Sequence, residues 1–96
     1  MIDFKNIPKL SGVYLMRDVK GDIVYIGKAK NLHNRIKSYF LGTKDFRPIT
    51  AMFFSIKEID YIICNTEQEA LFLEQKLISN LQPKYNVLWK DNKSFP

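Results

Sequence analysis

Cysteine occurs once in these 96 residues, at Cys64, and histidine once, at His33. A single thiol excludes an internal disulfide, and one thiol with one imidazole cannot assemble a Cys/His zinc cluster. Any metal must therefore be held largely by oxygen. Long apolar runs are missing as well: no stretch nears the ~18–20 residues of a membrane span, and Met1-Ile2-Asp3-Phe4-Lys5 lacks the charged-then-apolar layout of a secretory leader. No membrane association and a cytoplasmic location are expected. Repeats, low-complexity tracts and internal linkers are also absent, and the length leaves room for one modest core, so residues 1–96 are expected to form one domain.

Acidic residues are scarce in one place only. Lys28, Lys30, Arg35, Lys37, Lys44 and Arg47 are opposed within residues 28–47 by Asp45 alone, while the remainder of the chain is balanced, nine basic against nine acidic. The whole net charge of +5 thus gathers around one segment. A solvated helix face is one reading of such a run; a phosphate-bearing partner is the other, and the concentration favours it.

Local pattern supplies the elements. Val13–Arg17 and Ile23–Gly27 read as short strands around a turn-forming Asp18-Val19-Lys20-Gly21-Asp22. If Asp18–Gly21 make a four-residue loop, Met16 faces Ile23 and Tyr14 lies opposite Tyr25, both rings on one sheet face. A helix over 31–41 follows, with Leu32, Ile36 and Phe40 as its inward stripe and Arg35 and Tyr39 on the adjacent ridge. Pro48 fits the first turn of a second helix with Ile49, Met52, Phe53 and Ile56 inward. Glu58–Cys64 alternates as a third strand, and Thr66-Glu67-Gln68-Glu69 is a capping box opening a helix that runs to about Leu81, ahead of Pro83. The expected architecture is a small three-stranded antiparallel sheet flanked by helices, in the order β-β-α-α-β-α. Residues 91–96 carry no terminating element, and an N-terminal fragment of a longer chain is expected.

Few residues stand out chemically. Glu74 falls near the centre of an apolar arc made by Ala70, Leu71, Leu73, Leu77, Ile78 and Leu81, so its carboxylate should pair with a cation, hold a metal or line a cleft. Tyr14 and Tyr25 are either packed hairpin aromatics or parts of a site. A phenol with its ordinary pKa near 10 is a poor base at neutral pH, and Lys28, three residues past Tyr25, could supply the charge that lowers it. Arg35 and Tyr39, one helical turn apart, could meet one phosphate, or be a solvated arginine beside a half-buried tyrosine. Asn86 could orient a site residue, contact phosphate or simply cap a loop. His33 should point away from the Arg35-Tyr39 ridge, leaving it a surface role near nucleic acid. Tyr85, Trp89 and Phe95 among Lys84, Lys90 and Lys93 read as a nucleic-acid strip or as core anchors.

Gly12-Val13-Tyr14 and Tyr25-Ile26-Gly27, followed by Lys28, Arg35, Tyr39, Glu74 and Asn86 at their spacings, resemble the GIY-YIG nuclease family and, within it, the UvrC-type branch. The first tripeptide departs from the family pattern at its middle residue, where Val13 leaves the tyrosine in place. The resemblance implies a DNA endonuclease with one Mg²⁺ or Mn²⁺ on Glu74, Tyr25 as general base, Tyr14 positioning the water or the phosphate, Arg35 stabilising the transition state, Tyr39 supporting the phosphate and Asn86 as the family asparagine. Lys28, Lys30, Arg35 and Lys37 would meet DNA. For the UvrC-type branch it further implies the 3′-side incision beside a lesion in damaged double-stranded DNA during bacterial nucleotide excision repair. The partners implied are UvrB, with UvrA upstream, engaged through regions outside this chain, with the domain itself monomeric. A stand-alone nuclease of the same family and a non-catalytic DNA-binding module are the alternatives.

Overall fold

A computed structural model describes residues 4–40 and 54–89 of the chain. A 3-10 turn, Phe4–Asn6, leads into β1 (Gly12–Asp18), β2 (Ile23–Ala29), α1 (Leu32–Phe40), β3 (Ile56–Ile63), α2 (Glu67–Leu81) and α3 (Lys84–Trp89). The three strands form one antiparallel sheet in the order β2-β1-β3. The expected class holds, and the element order among the described residues is β-β-α-β-α-α. The helix expected from Pro48 falls on residues outside those described, except that Ile56, assigned to its stripe, opens β3. A short helix, α3, occupies the stretch after Pro83 that carried no expected element.

Gly12–Met16 is buried throughout because β1 is central and covered on both faces. Val13 and Leu15 point to one side, into a cluster with Ile26, Cys64 and Ala70, closed by Ile23, Leu73, Leu77 and Ile78. This is where α2 packs. Tyr14 and Met16 point to the other side, with Ile7, Val24, Leu32, Ile36 and Ile56, and with Tyr25, Tyr39, Ile59 and Tyr85 partly buried around them.

The hairpin register differs from expectation by two residues. Tyr14 pairs with Gly27 and Met16 with Tyr25, where Tyr25 was expected opposite Tyr14 and Ile23 opposite Met16. Two features set the offset. Asp18 closes the turn itself, its carboxylate accepting from the N–H groups of Lys20 (2.9 Å) and Asp22 (3.1 Å). Arg17 then pairs with Ile23, leaving Val24 as the extra residue of a bulge. A shift of two preserves which face each side chain takes, whereas a shift of one would not. Tyr14 and Tyr25 therefore still share a face, as diagonal neighbours with ring centroids 6.3 Å apart.

The capping box forms at Thr66, whose hydroxyl accepts from the Glu69 N–H at 3.0 Å. The Glu69 carboxylate accepts from Asn65, one residue earlier than the usual reciprocal partner. α2 then runs to Leu81 and ends at Gln82, which turns left-handed (φ 47°) ahead of buried Pro83. No helix among the described residues is long and apolar enough to cross a membrane.

Candidate active site

Gly27 determines how the site is built. It sits directly opposite Tyr14 on the neighbouring strand, and a Cβ placed on it would collide with the hydroxyl and ring of Tyr14. The absence of a side chain lets the Tyr14 ring lie flat across β2. Gly12 has the same relation to β3, where a Cβ would meet the Ile62 carbonyl and the Leu32 side chain. Neither glycine was singled out as a site residue, although both belong to the tripeptides that mark the hairpin.

Tyr14 is 1% exposed, and its hydroxyl is hydrogen-bonded to that of Tyr39 at 2.8 Å. The two rings meet edge-on, with centroids 6.2 Å apart. Tyr14 therefore acts through its hydroxyl on Tyr39, which it fixes in place. The Arg35 guanidinium lies over the Tyr39 ring, 5.8 Å from its centroid. Tyr14, Tyr25, Tyr39 and Arg35 therefore form one cluster, and the ridge expected on α1 meets the hairpin as its spacing suggested.

Burial pushes the Tyr25 phenol up to about 12; the neighbouring Tyr39 and Glu74 add to the rise, and Arg35 opposes it. Tyr14 is driven well above the usual phenol value, chiefly by burial and then by the neighbouring phenols. The cation expected to lower Tyr25 was Lys28. Arg35 takes that part, while Lys28 acts on Glu74.

Glu74 is half-buried on α2, and desolvation raises its pKa against the opposing pull of Gln75 and Lys28. Its carboxylate accepts from the Gln75 side chain at 3.2 Å, and the nearby Lys28, through its charge and its backbone, favours the ionised form. Among the described residues it makes no salt bridge, so the pairing with a lysine across the core that its position allowed is not formed. Nor do three or more His, Cys, Asp or Glu side chains gather anywhere among those residues. The donor set is then one carboxylate at the rim of a tyrosine-lined cluster. That suits a hard divalent ion such as Mg²⁺, which keeps several waters and takes its other oxygens from a phosphate.

Asn86 is a clamp. Its side-chain oxygen accepts from the Ile26 N–H at 2.7 Å, and its amide donates to the Ile26 carbonyl at 2.9 Å. β2 is an edge strand, and this pair occupies the outward hydrogen-bonding positions of the residue between Tyr25 and Gly27. Asn86 thus orients the strand that carries the tyrosine. His33 bonds the Ile7 carbonyl through Nδ1 at 3.0 Å, tying α1 to the segment before β1. Tyr85 packs on the aromatic cluster with the Lys84 ammonium 5.3 Å from its ring centroid. Lys28, Lys30 and Lys37 are exposed along the strand-to-helix junction and α1. The other residues of the basic run, Lys44 and Arg47, and of the C-terminal strip, Lys90, Lys93 and Phe95, lie outside the described part.

Residues 10–87 match the model of the UvrC-like GIY-YIG domain. The chain belongs to that family. This UvrC-like GIY-YIG domain is 50% identical over 93 residues to UvrABC system protein C of Carboxydothermus hydrogenoformans and to that of Bdellovibrio bacteriovorus, covering 96% of this chain in each case. It spans about 15% of the length of those relatives. Its fold is similar to the GIY-YIG N-terminal endonuclease domain of UvrC from Thermotoga maritima bound to magnesium, described there as its catalytic divalent cation. That likeness has a TM-score of 0.76 at 36% identity and covers 86% of this chain and 90% of the other.

Proposed function

We propose that this domain is a metal-dependent DNA endonuclease that hydrolyses one phosphodiester bond, leaving a 3′-hydroxyl and a 5′-phosphate. The observation that carries it is the convergence of Tyr25, Tyr39 and Arg35 around the Tyr14–Gly27 pair, with the Glu74 carboxylate, unbridged among the described residues, near enough to act on the Tyr25 phenol. In water a guanidinium near a phenol is weak, but in a partly desolvated cluster it can hold a phosphate by two oxygens and offset charge developing on them.

Each residue then has a task. Tyr25 takes the proton of the attacking water, Arg35 stabilises the non-bridging oxygens, and Tyr39 orients Arg35 and the phosphate with Tyr14 behind it. Lys28 adds positive charge at the rim, and Asn86 keeps β2 in place. Glu74 would hold one Mg²⁺ or Mn²⁺, which when bound offsets the carboxylate's effect on Tyr25 and stabilises the departing 3′-oxygen. That offset matters because a phenol near 12 carries too little phenolate at neutral pH to serve as a base by itself.

The family further supports the 3′-side cut beside a lesion in bacterial nucleotide excision repair, on damaged double-stranded DNA in the cytoplasm. UvrB, after UvrA, would load the protein through regions outside this chain, and residues 1–96 would act as one monomeric nuclease domain. The test is incision of a lesion-bearing duplex in Mg²⁺ by the full-length protein in a reconstituted reaction. Tyr25→Phe, Arg35→Ala and Glu74→Ala should each lose the 3′-side cut. Cutting by these variants at the wild-type rate would refute the assignment.

A further inference from the structure

Beside the tyrosine cluster runs a groove of about 430 Å³, lined by Lys28, Lys30, Asn31, Asn34, Arg35, Ser38 and Glu67. Arg35 and Lys28 are shared with the proposed site; the other lining side chains have no task there. We propose that this groove is a second phosphate subsite, for the phosphodiester next to the one hydrolysed, and that Glu67 competes with that phosphate for Lys30. The inference rests on the nuclease reading and deepens it.

The groove has the chemistry for one diester. Asn34, Arg35 and Ser38 lie at one- and three-residue spacing on the groove side of α1, and Asn31, which caps its N-terminus, lies one turn before them. Asn31 spends its carbonyl oxygen on the Asn34 backbone N–H at 3.0 Å, leaving its NH₂ to donate, and the Asn34 amide can donate beside it. Arg35, Lys28 and Lys30 supply its positive charge. Phosphate contacts of this kind position a strand without reading its sequence.

Among the described residues, Glu67 is the one acidic side chain lining the groove. Its carboxylate lies 3.4 Å from the Lys30 ammonium, with both side chains more than half exposed. An exposed pair of this kind is weak, so an incoming phosphate, fixed by Arg35 and the asparagines as well, can displace the carboxylate. Until then the carboxylate offsets part of the Lys30 charge, and casual binding of nucleic acid is reduced. As the first residue of α2, Glu67 also suits the positive end of the helix dipole. That local role is indifferent to Lys30, and the difference makes the proposal testable.

Binding of this chain to a fluorescein-labelled 20-base-pair duplex, followed by anisotropy without divalent metal between 20 and 200 mM salt, provides the test. Glu67→Gln should tighten binding about threefold at low salt, since exposed charge pairs contribute little more, and should steepen the log–log salt dependence by up to about 0.9. Lys30→Gln should weaken binding by a similar factor and erase the effect of Glu67→Gln in the double variant. Asn34→Asp, which sets a carboxylate in the groove, should weaken binding in either background. A Glu67→Gln effect of the same size with and without Lys30, or none at all, would overturn the subsite. Incision in Mg²⁺ separates the two claims: a wild type that cuts but whose binding ignores Glu67→Gln defeats the subsite alone. A wild type that never cuts, while the Lys30–Glu67 coupling appears as stated, defeats the nuclease reading and supports the groove as a phosphate site.

Discussion

On one side of β1, Val13 and Leu15 meet Ile26, Cys64, Ala70 and Leu73 and Leu77 of α2; on the other, Tyr14 and Met16 meet Tyr25, Tyr39 and the inward residues of α1. The first face is aliphatic and asks only for volume and exclusion of water. The second is aromatic and carries hydroxyls, each of which needs a partner once buried. Both faces hang on the same strands, so the packing of the first fixes the geometry of the second. Ile26 anchors β2 in the aliphatic core, and its neighbours in sequence, Tyr25 and Gly27, face the site. Glu74 crosses the division, because it belongs to the helix that covers the aliphatic side yet raises the Tyr25 phenol and feels the charge of Lys28.

The largest separation between stability and activity should come from that crossing point. Glu74→Gln keeps the shape and removes a partly desolvated charge that has no salt bridge among the described residues. Its melting temperature should match or slightly exceed that of the wild type, while metal-dependent cleavage falls about 1,000-fold, roughly 4 kcal/mol of transition-state stabilisation. A variant that melts much earlier would mean that Glu74 belongs to the packing of α2 and not to the site.

The two faces should also part company at alkaline pH, because the aromatic face carries the buried phenols and the aliphatic face only the Cys64 thiol, itself raised by burial. Tyr25 is held at about 12 in the fold, against about 10 for a free phenol. As pH rises past 10 the unfolded chain releases this proton first, so stability present below pH 10 drains away until about pH 12, by an amount on the order of 2 kcal/mol. Buried Tyr14, also raised, acts in the same direction. Urea melts at pH 9, 10 and 11 should show a falling midpoint, and Tyr25→Phe should flatten the fall. An equal slope in that variant would place the titrating groups elsewhere.

Next in size is Gly27→Ala, which adds one methyl where the Tyr14 ring already lies. Overpacking of this kind costs about 1–3 kcal/mol, and here the displaced ring also drags the Tyr39 hydroxyl and Arg35 with it. Thermal melts should show the loss in Gly27→Ala, and Tyr14→Phe should not rescue it, because the ring carbons collide as well as the oxygen. Full stability in Gly27→Ala would contradict the close approach of β1 to β2.

Much of this was legible in the sequence, and the parts that were not share a physical origin. Thr66 and Glu69 announced the start of α2 because a cap is a local hydrogen bond. Glu74 was conspicuous because a carboxylate inside an apolar arc violates periodicity over one helix. The hairpin register was misread because it depends on Asp18 closing its own turn and on a bulge at Val24, neither of which alters the alternation. That the Tyr14 hydroxyl meets Tyr39, 25 residues away, is a tertiary contact that no local pattern carries. Lys28 stood nearer to Tyr25 in sequence than Arg35 does, yet the helix brings Arg35 to the phenol and leaves Lys28 beside Glu74. α3, at six residues, is too short for periodicity to reveal.

The smallest of these effects should come from α3, and it decides what Asn86 is for. Its amide replaces the missing neighbour of edge strand β2 at a single residue, with two hydrogen bonds to the Ile26 backbone. Asn86→Ala removes both, and at about 0.5–1 kcal/mol for each bond of this partly exposed edge it should destabilise the domain by about 1–2 kcal/mol. The signature is local: the Ile26 amide should exchange with deuterium faster, while the amides of β3 on the opposite edge change only as global stability does. Asn86→Asp keeps the acceptor for the Ile26 N–H but turns a negative oxygen toward the Ile26 carbonyl, so it should recover none of the lost stability. Cleavage should fall because Tyr25 lies next to the loosened residue, whereas duplex affinity in the absence of metal should hold. The opposite pattern, weakened affinity with an unchanged Ile26 exchange rate, would make Asn86 a phosphate contact and return it to the aromatic face of the comparison.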